Sequence, residues 1–389
     1  MLSRTDKRLF PRCSSCKSLG MLAAAAAMAI APALLAQEPA TPAAQRPGMP
    51  AQSATPNRPP RQPRPKPAGL PSVRREMSSI KPEAIFPVEG SPDWSVITPE
   101  ATWVASARAN HVVQLKAKDN TVGMIVDINR PCAGLTSGFG SIWSPSCGDK
   151  KLERIDPSNG KITAAIDAEP ENSEGGITMG GGAIWMVVKA SPPASAPPAP
   201  AAEPGQGGPG RQRGPSLPPS LVKVDPKTNT ITARVELPTT AANPVYADGY
   251  VWVSTFSNNS VVKVDPKTMT VMETIPTGAR PRFITAGAGS VWTLNQGDGT
   301  VTKIDTKTSK VTATIQCGLT GSGGDLSYSD GYVWAALFNF PLTKIDAKTD
   351  KVIAQWAGPG GDGMRAGGGS VWLSNLQLQT VWRISDKIE

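Results

Sequence analysis

The sharpest chemical pair in this 389-residue chain is Cys132 and Cys147, which flank the turn Gly138-Phe139-Gly140-Ser141 at equal distances. Two cysteines so placed stand opposite each other across an antiparallel hairpin, and an oxidising compartment would join them. Cys317 is left over as a lone, buried thiol, and Cys13 and Cys16 form a CxxC close to the N-terminus. The chain has one histidine, His111. That excludes any site needing a histidine pair. No Walker A loop, dinucleotide fingerprint, nucleophile elbow, zinc-protease helix or EF-hand loop occurs. The remaining candidates are charged and polar residues in connecting segments: Arg130, Glu174, Asn243, Tyr246, Arg280, Arg282, Asp325, Asp362 and Arg365. Scattered in sequence, they form a site only if the fold gathers them.

A repeat supplies the means. A short apolar run around tryptophan recurs seven times, at Trp103, Trp143, Trp185, Trp252, Trp292, Trp334 and Trp372. The intervals are 40, 42, 67, 40, 42 and 38 residues, and the long one contains a Pro/Ala/Gly-rich insert at 190–219. Without that insert the period matches a propeller blade, about 40–45 residues. A second run follows each Trp, as in Val261-Val-Lys-Val-Asp265-Pro and Val301-Thr-Lys-Ile-Asp305-Thr. Its alternation suits a half-buried strand, and Asp-Pro opens a turn. With a run before each Trp and another after the turn, every repeat offers four antiparallel strands, A to D, with Trp on B. The expected fold is all-β, a seven-bladed propeller in which A lines the channel and D lies outermost. The last repeat lacks a D strand, and the spare segment Glu83–Val88 is expected to supply it and close the ring.

Residues 1–36 read as a signal peptide, with a basic start, an Ala-rich apolar stretch and Ala36 at the cleavage point; the CxxC would leave with it. Residues 37–79, rich in Pro, Ala, Gln and Arg, read as a disordered tether before a propeller spanning 80–389. Residues 1–78 hold twelve Lys/Arg against Asp6, Glu38 and Glu76, so the entire excess of +9 lies there. The folded part carries no basic excess, which argues against a nucleic-acid partner. An exported protein, periplasmic or secreted, is expected, monomeric and without a transmembrane domain after cleavage.

The unit Gly-x-Val-Trp…Lys-[Ile/Val]-Asp-Pro-Lys-Thr…Thr-Ile resembles the bacterial YVTN/YncE-type propellers and the Vgb-like group named after streptogramin (virginiamycin B) lyase, over about 84–389. The lyases open a cyclic depsipeptide by elimination with histidines, acidic residues and Mg²⁺. The lone His111 leaves no such set to carry over. Two readings follow. One is a non-catalytic propeller without a cofactor, binding a small polar ligand or an envelope protein. The alternative is an enzyme of lyase or lactonase type using acidic residues and a divalent metal.

The connections D–A and B–C open on one face. The D–A segments differ from blade to blade, whereas the turns of the other face are near-identical. A ligand without sevenfold symmetry needs differing groups, so the expected binding site is the channel mouth on the D–A side. It would use Arg130, Glu174, Asn243, Arg280, Arg282, Asp325, Asp362 and Arg365. The glycine pairs Gly175-Gly176, Gly323-Gly324 and Gly360-Gly361 either bring backbone amides to a ligand or relieve crowding near the axis.

Overall fold

The computed structural model describes residues 68–171, 174, 176–190, 218–238 and 240–388. The expected leader with its CxxC, residues 37–67 and residues 191–217 lie outside them. Seven antiparallel sheets form the blades. The A strands are Pro92–Ile97, Thr136–Gly138, Ile177–Gly180, Ala241–Ala247, Pro281–Gly287, Asp325–Ser329 and Met364–Gly367 for blades 1 to 7. Each is followed by a B strand with the repeat tryptophan, then by strand C. Strand D follows in blades 1 to 6. In blade 7 it comes from Ala84–Pro87, which pairs antiparallel with Thr380–Ser385. Phe86 there is buried and stacks on Trp372 at 5.5 Å between ring centres. The ring is thus a seven-bladed propeller closed by its N-terminal strand.

Local chemistry explains the regularity. The turn aspartates accept hydrogen bonds from backbone N–H groups two and three residues on, as Asp346 Oδ1 does from Lys348 and Thr349 at 2.9 and 2.8 Å. These bonds hold the carboxyl of Asp346 below its usual range, with Thr349 the main donor. The tryptophans are buried between blades. Trp143, Trp185, Trp252 and Trp292 each donate Nε1–H to a carbonyl of their own A–B turn, at 3.0 to 3.2 Å.

A third element is the strand-C cation. Directly opposite the tryptophan stands Arg154, Lys223, Lys263, Lys303, Lys344 or Arg383 in blades 2 to 7. Each lies over its ring at 4.8 to 5.9 Å. Five of them then donate into the C–D turn of the following blade, as Lys303 does to Ala347 O at 3.0 Å and Asp350 Oδ1 at 2.8 Å, while Lys344 donates to Asp386 O and Ile388 O just after strand C of blade 7. Arg383 reaches Ala117 O and Asn120 Oδ1 of blade 1, at 2.6 and 3.0 Å. Cation–π contact and charge-assisted hydrogen bonding so join in one side chain.

The boundary of the tether differs from expectation. Residues 68–79 are packed on blade 6. Arg74–Glu76 adds a parallel fifth strand beside Lys351–Ala357, and Met77 and Ile80 are buried with Trp334 and Trp356. Arg74 and Arg75 lie over Phe340 and Trp356. Composition missed this because the anchors are few and the arginines cover apolar surface with their stems. The strap hides the D strand of blade 6, whose second half is buried while its counterpart in blade 4 is almost wholly exposed.

Candidate functional site at the channel mouth

The A strands begin at the D–A end of the channel, and their first residues meet there. Trp94 of blade 1 and Phe283 of blade 5, from opposite sides of the ring, approach to 5.8 Å between ring centres. Both are buried and make an apolar contact across the ring. Against this apolar floor stand Asp93, Glu174, Asp325 and Asp362 with Arg282 and Arg365.

Arg365 lies over Trp94, 5.6 Å from the ring centre. Its Nη1 donates to Asp325 Oδ2 and to Met364 O. Asp325, 2% exposed, also accepts from Leu326 N at 2.8 Å and Met364 N at 3.1 Å. Asp362 Oδ1 accepts from Gly324 N at 2.9 Å. Gly324 has φ +105°, and a Cβ there would strike Ala336 O at 2.2 Å. Crowding therefore accounts for this glycine, and its amide serves a protein carboxylate.

The electrostatics are those of acids held close together under little water. Burial, first, and then Asp362, Glu174 and Asp325 push the Asp93 carboxyl well above its usual range, against the pull of Arg365. Burial raises Asp362 to about 7, with Glu174 and Asp325 adding to it and the Gly324 amide and Arg282 opposing. Burial also raises Asp325, although Arg365 and two backbone amides favour its charge. Burial, with repulsion from neighbouring acids at Asp93 and Asp362, thus shifts these mouth carboxyls towards their protonated forms.

Among the expected residues, Glu174, Arg282, Asp325, Asp362 and Arg365 come together. Arg280 stands one step out, stacked with Arg282 on Phe256 at 4.5 and 5.1 Å. Asn243 is buried beside the group and donates Nδ2–H to Arg282 O at 3.0 Å, bracing strand A of blade 5. Arg130 is exposed, and its backbone N–H donates to Asn110 Oδ1. Nothing places it with the acids. Tyr246, a candidate from the connecting segments, is not at the mouth. It sits at the opposite end of its strand, beside the A–B turn and packed over Gly180 and Gly181, because strand A of blade 4 starts five residues earlier, at Ala241.

Asp93 and the Trp94–Phe283 floor were missed. A register signal existed: Asp93, Arg282 and Asp362 each lie ten residues before their blade tryptophan, Trp103, Trp292 and Trp372. The next position holds Trp94, Asn243, Phe283 and Asp325, with Gly134, Gly176 and Gly363 in the other three blades. Large groups in blades 1, 4, 5 and 6 thus meet gaps in blades 2, 3 and 7 at the axis. A Cβ at Gly363 would lie 2.2 Å from Asp93 O.

The disulfide Cys132–Cys147 is formed, with Cα atoms 5.8 Å apart. It joins the segment entering blade 2 to the end of its B strand. Cys317 is buried and free, and burial raises its thiol to about 12. His111 begins strand C of blade 1, and its charged neighbours are Glu89 and Asp127 rather than the mouth acids. Burial lowers it from its ordinary value. Among the described residues no group of three or more His, Cys, Asp or Glu is arranged to hold a metal ion. No helix among them is long and apolar enough to cross a membrane. Three inter-blade clefts on the opposite face enclose about 700, 610 and 510 Å³. They are lined by latch and turn residues that recur in the repeat, such as Lys223, Lys344 and Arg383, and they gather no comparable cluster of acids.

Among solved structures, the chain is similar to a streptogramin B lyase, with 18% identity and a TM-score of 0.57 over 77% of this chain and 94% of that one. It is also similar to a catalytically inactive virginiamycin B lyase from Staphylococcus aureus with quinupristin, with 13% identity and a TM-score of 0.61 over 79% and 98% of the two chains. No protein-family model and no curated protein matches. At these identities the likeness establishes the fold alone, a seven-bladed propeller.

Proposed function

We propose that the D–A channel mouth binds a small, uncharged polar ligand rich in oxygen acceptors. The observation that carries this reading is the convergence of Asp93, Glu174, Asp325, Asp362, Arg282 and Arg365 on the Trp94–Phe283 floor. Four acids against two guanidinium groups disfavour an anion. Arg282 and Arg365, together with the burial that shifts Asp93, Asp325 and Asp362 towards their protonated forms, weaken the pull on a cation. Three buried donor atoms at or beside the group have no hydrogen-bond partner: Trp94 Nε1, Arg282 Nε and Asn375 Nδ2. Asn375 adjoins the mouth because its Oδ1 accepts from Gly361 N. Donors left unpaired in a buried place favour a ligand that brings carbonyl or hydroxyl oxygens.

The test is thermal-shift screening of the full chain against neutral amides, lactones and sugars, with amines and carboxylates as comparison sets. Neutral probes are expected to raise the melting temperature. Asp362→Ala and Arg282→Ala are expected to weaken the effect at least tenfold in apparent affinity, and Lys267→Ala and Lys307→Ala to leave it unchanged. If only the lysine variants weaken it, the working face is the other one.

One observation favours a second reading. An acid held near 7, as Asp362 is, suits proton transfer at neutral pH. Under that reading the lactones of the panel would be consumed, and Asp362→Asn would stop the turnover while keeping the binding.

A further inference from the structure

Six of the seven blade junctions carry the cation latch, and the junction between blades 1 and 2 does not. Blade 1 has Gln114 opposite Trp103. Its Oε1 accepts from Met124 N, at 3.3 Å, within its own blade. The loss is of a charge-assisted hydrogen bond into the next blade's turn.

The partner face of this junction is also anomalous. Glu153 of blade 2 takes the strand-C position that holds Val113, Val222 and Val262 in blades 1, 3 and 4. It is buried, and its Oε2 has no hydrogen-bond partner. Ser144, directly opposite it in register, is fully buried with an unpartnered Oγ. Trp103 Nε1 likewise lacks the turn carbonyl that four other blade tryptophans have. Strand A of blade 2 is only three residues long, Thr136–Gly138, so the inner edge adds little.

What bridges the junction lies on the D–A face. Asn110, at the B–C turn of blade 1, accepts from Ile128 N through its backbone oxygen and from Arg130 N through Oδ1, at 3.0 and 2.9 Å. Asn129 and Arg130 accept in turn from Gly148 N and Cys147 N of blade 2, at 3.1 and 3.0 Å. The Cys132–Cys147 bond fastens this same linker to blade 2.

We infer that the ring opens first between blades 1 and 2, hinged on the disulfide-fastened linker, rather than at blade 7 where the N-terminal strand closes it. The consequence reaches the mouth, because Asp93 begins blade 1 and Glu174 precedes blade 3. Opening this junction separates two acids that otherwise act on each other.

Hydrogen–deuterium exchange on the oxidised full chain tests this. Peptides covering Thr121–Asp127, Ser141–Ser146 and Lys151–Ile155 are expected to exchange about tenfold faster than their counterparts at the junction of blades 4 and 5. Gln114→Arg, which restores a latch towards Pro157, is expected to remove most of that difference. The double change Cys132→Ser with Cys147→Ser is expected to widen it. Lys263→Gln should speed the junction of blades 4 and 5 in its turn, which shows that the readout follows latches. The inference is overturned if the junction of blades 1 and 2 exchanges no faster than the others. Fastest exchange at Ala84–Pro87 and Thr380–Ser385 would overturn it too, as would a natively folded Gln114→Arg that leaves the pattern unchanged.

Discussion

Asp362 shows how much one carboxyl at the mouth weighs on the fold. Its folded value is near 7 against an ordinary 3.8, so the native state binds its proton more tightly than the unfolded chain does. The stability this contributes is full below about pH 4 and is lost as pH rises through 7. A shift of this size corresponds to about 4 kcal/mol at most, shared with the raised Asp93 and Asp325. Stability from urea titrations is therefore expected to fall between pH 5 and pH 8, and Asp362→Asn to flatten that slope. A wild-type stability that rises over this range would contradict the raised acids. Glu153 gives a second test at this scale. Replacing it with Val, the residue at this position in three other blades, removes a buried unpartnered oxygen. The expected gain is about 1–3 kcal/mol at pH 7, read as a higher urea midpoint at unchanged slope. Equal midpoints would mean that water already satisfies the carboxylate.

At the scale of the element, the strap and the latches are separable. The closing strand Ala84–Pro87 carries Phe86 into the core, whereas the strap offers Met77 and Ile80 to a face that blade 6 has already built. Removing residues 68–79 is expected to lower the melting temperature by several degrees and to expose Trp356 to quenchers. Removing 84–88 as well is expected to abolish cooperative unfolding. Equal melting temperatures for the two truncations would show that the strand does not close the ring. Among the latches, Lys303→Gln is the sharpest probe, since its ammonium meets both Ala347 O and Asp350 at little exposure. A loss of about 1.5–3 kcal/mol in chemical denaturation is expected. The glutamine of blade 1 already shows that the fold tolerates this change once.

For the molecule as a whole, the two faces differ in how far they repeat. The C–D turns of one face repeat nearly the same residues and tie neighbouring blades together. The D–A connections of the other face differ, and five of the expected residues meet there. Disulfide reduction should act on the D–A side of blade 2 and lower global stability by about 3 kcal/mol or less, as a 15-residue loop allows. Peptide mapping without reductant should recover the Cys132–Cys147 fragment, and finding both residues as free thiols would contradict the bond.

The sequence by itself determined the architecture, because a propeller is written in short range. Trp spacing, strand alternation and Asp-Pro turns each act within one blade, and seven copies restate the same instruction. The missing last strand even pointed to Glu83–Val88 as the closure. It also determined the disulfide partners, which a single hairpin relates. Only the tertiary structure decided which residues meet at the channel mouth. Asp93, Trp94 and Phe283 meet because blades 1 and 5 face each other across the axis, and no local pattern measures that distance. The same limit applies to the strap, whose Met77 and Ile80 become anchors only against the unusual apolar edge of blade 6. It applies to Tyr246 as well, since one strand reaches both ends of the channel and only its register says which end a side chain serves.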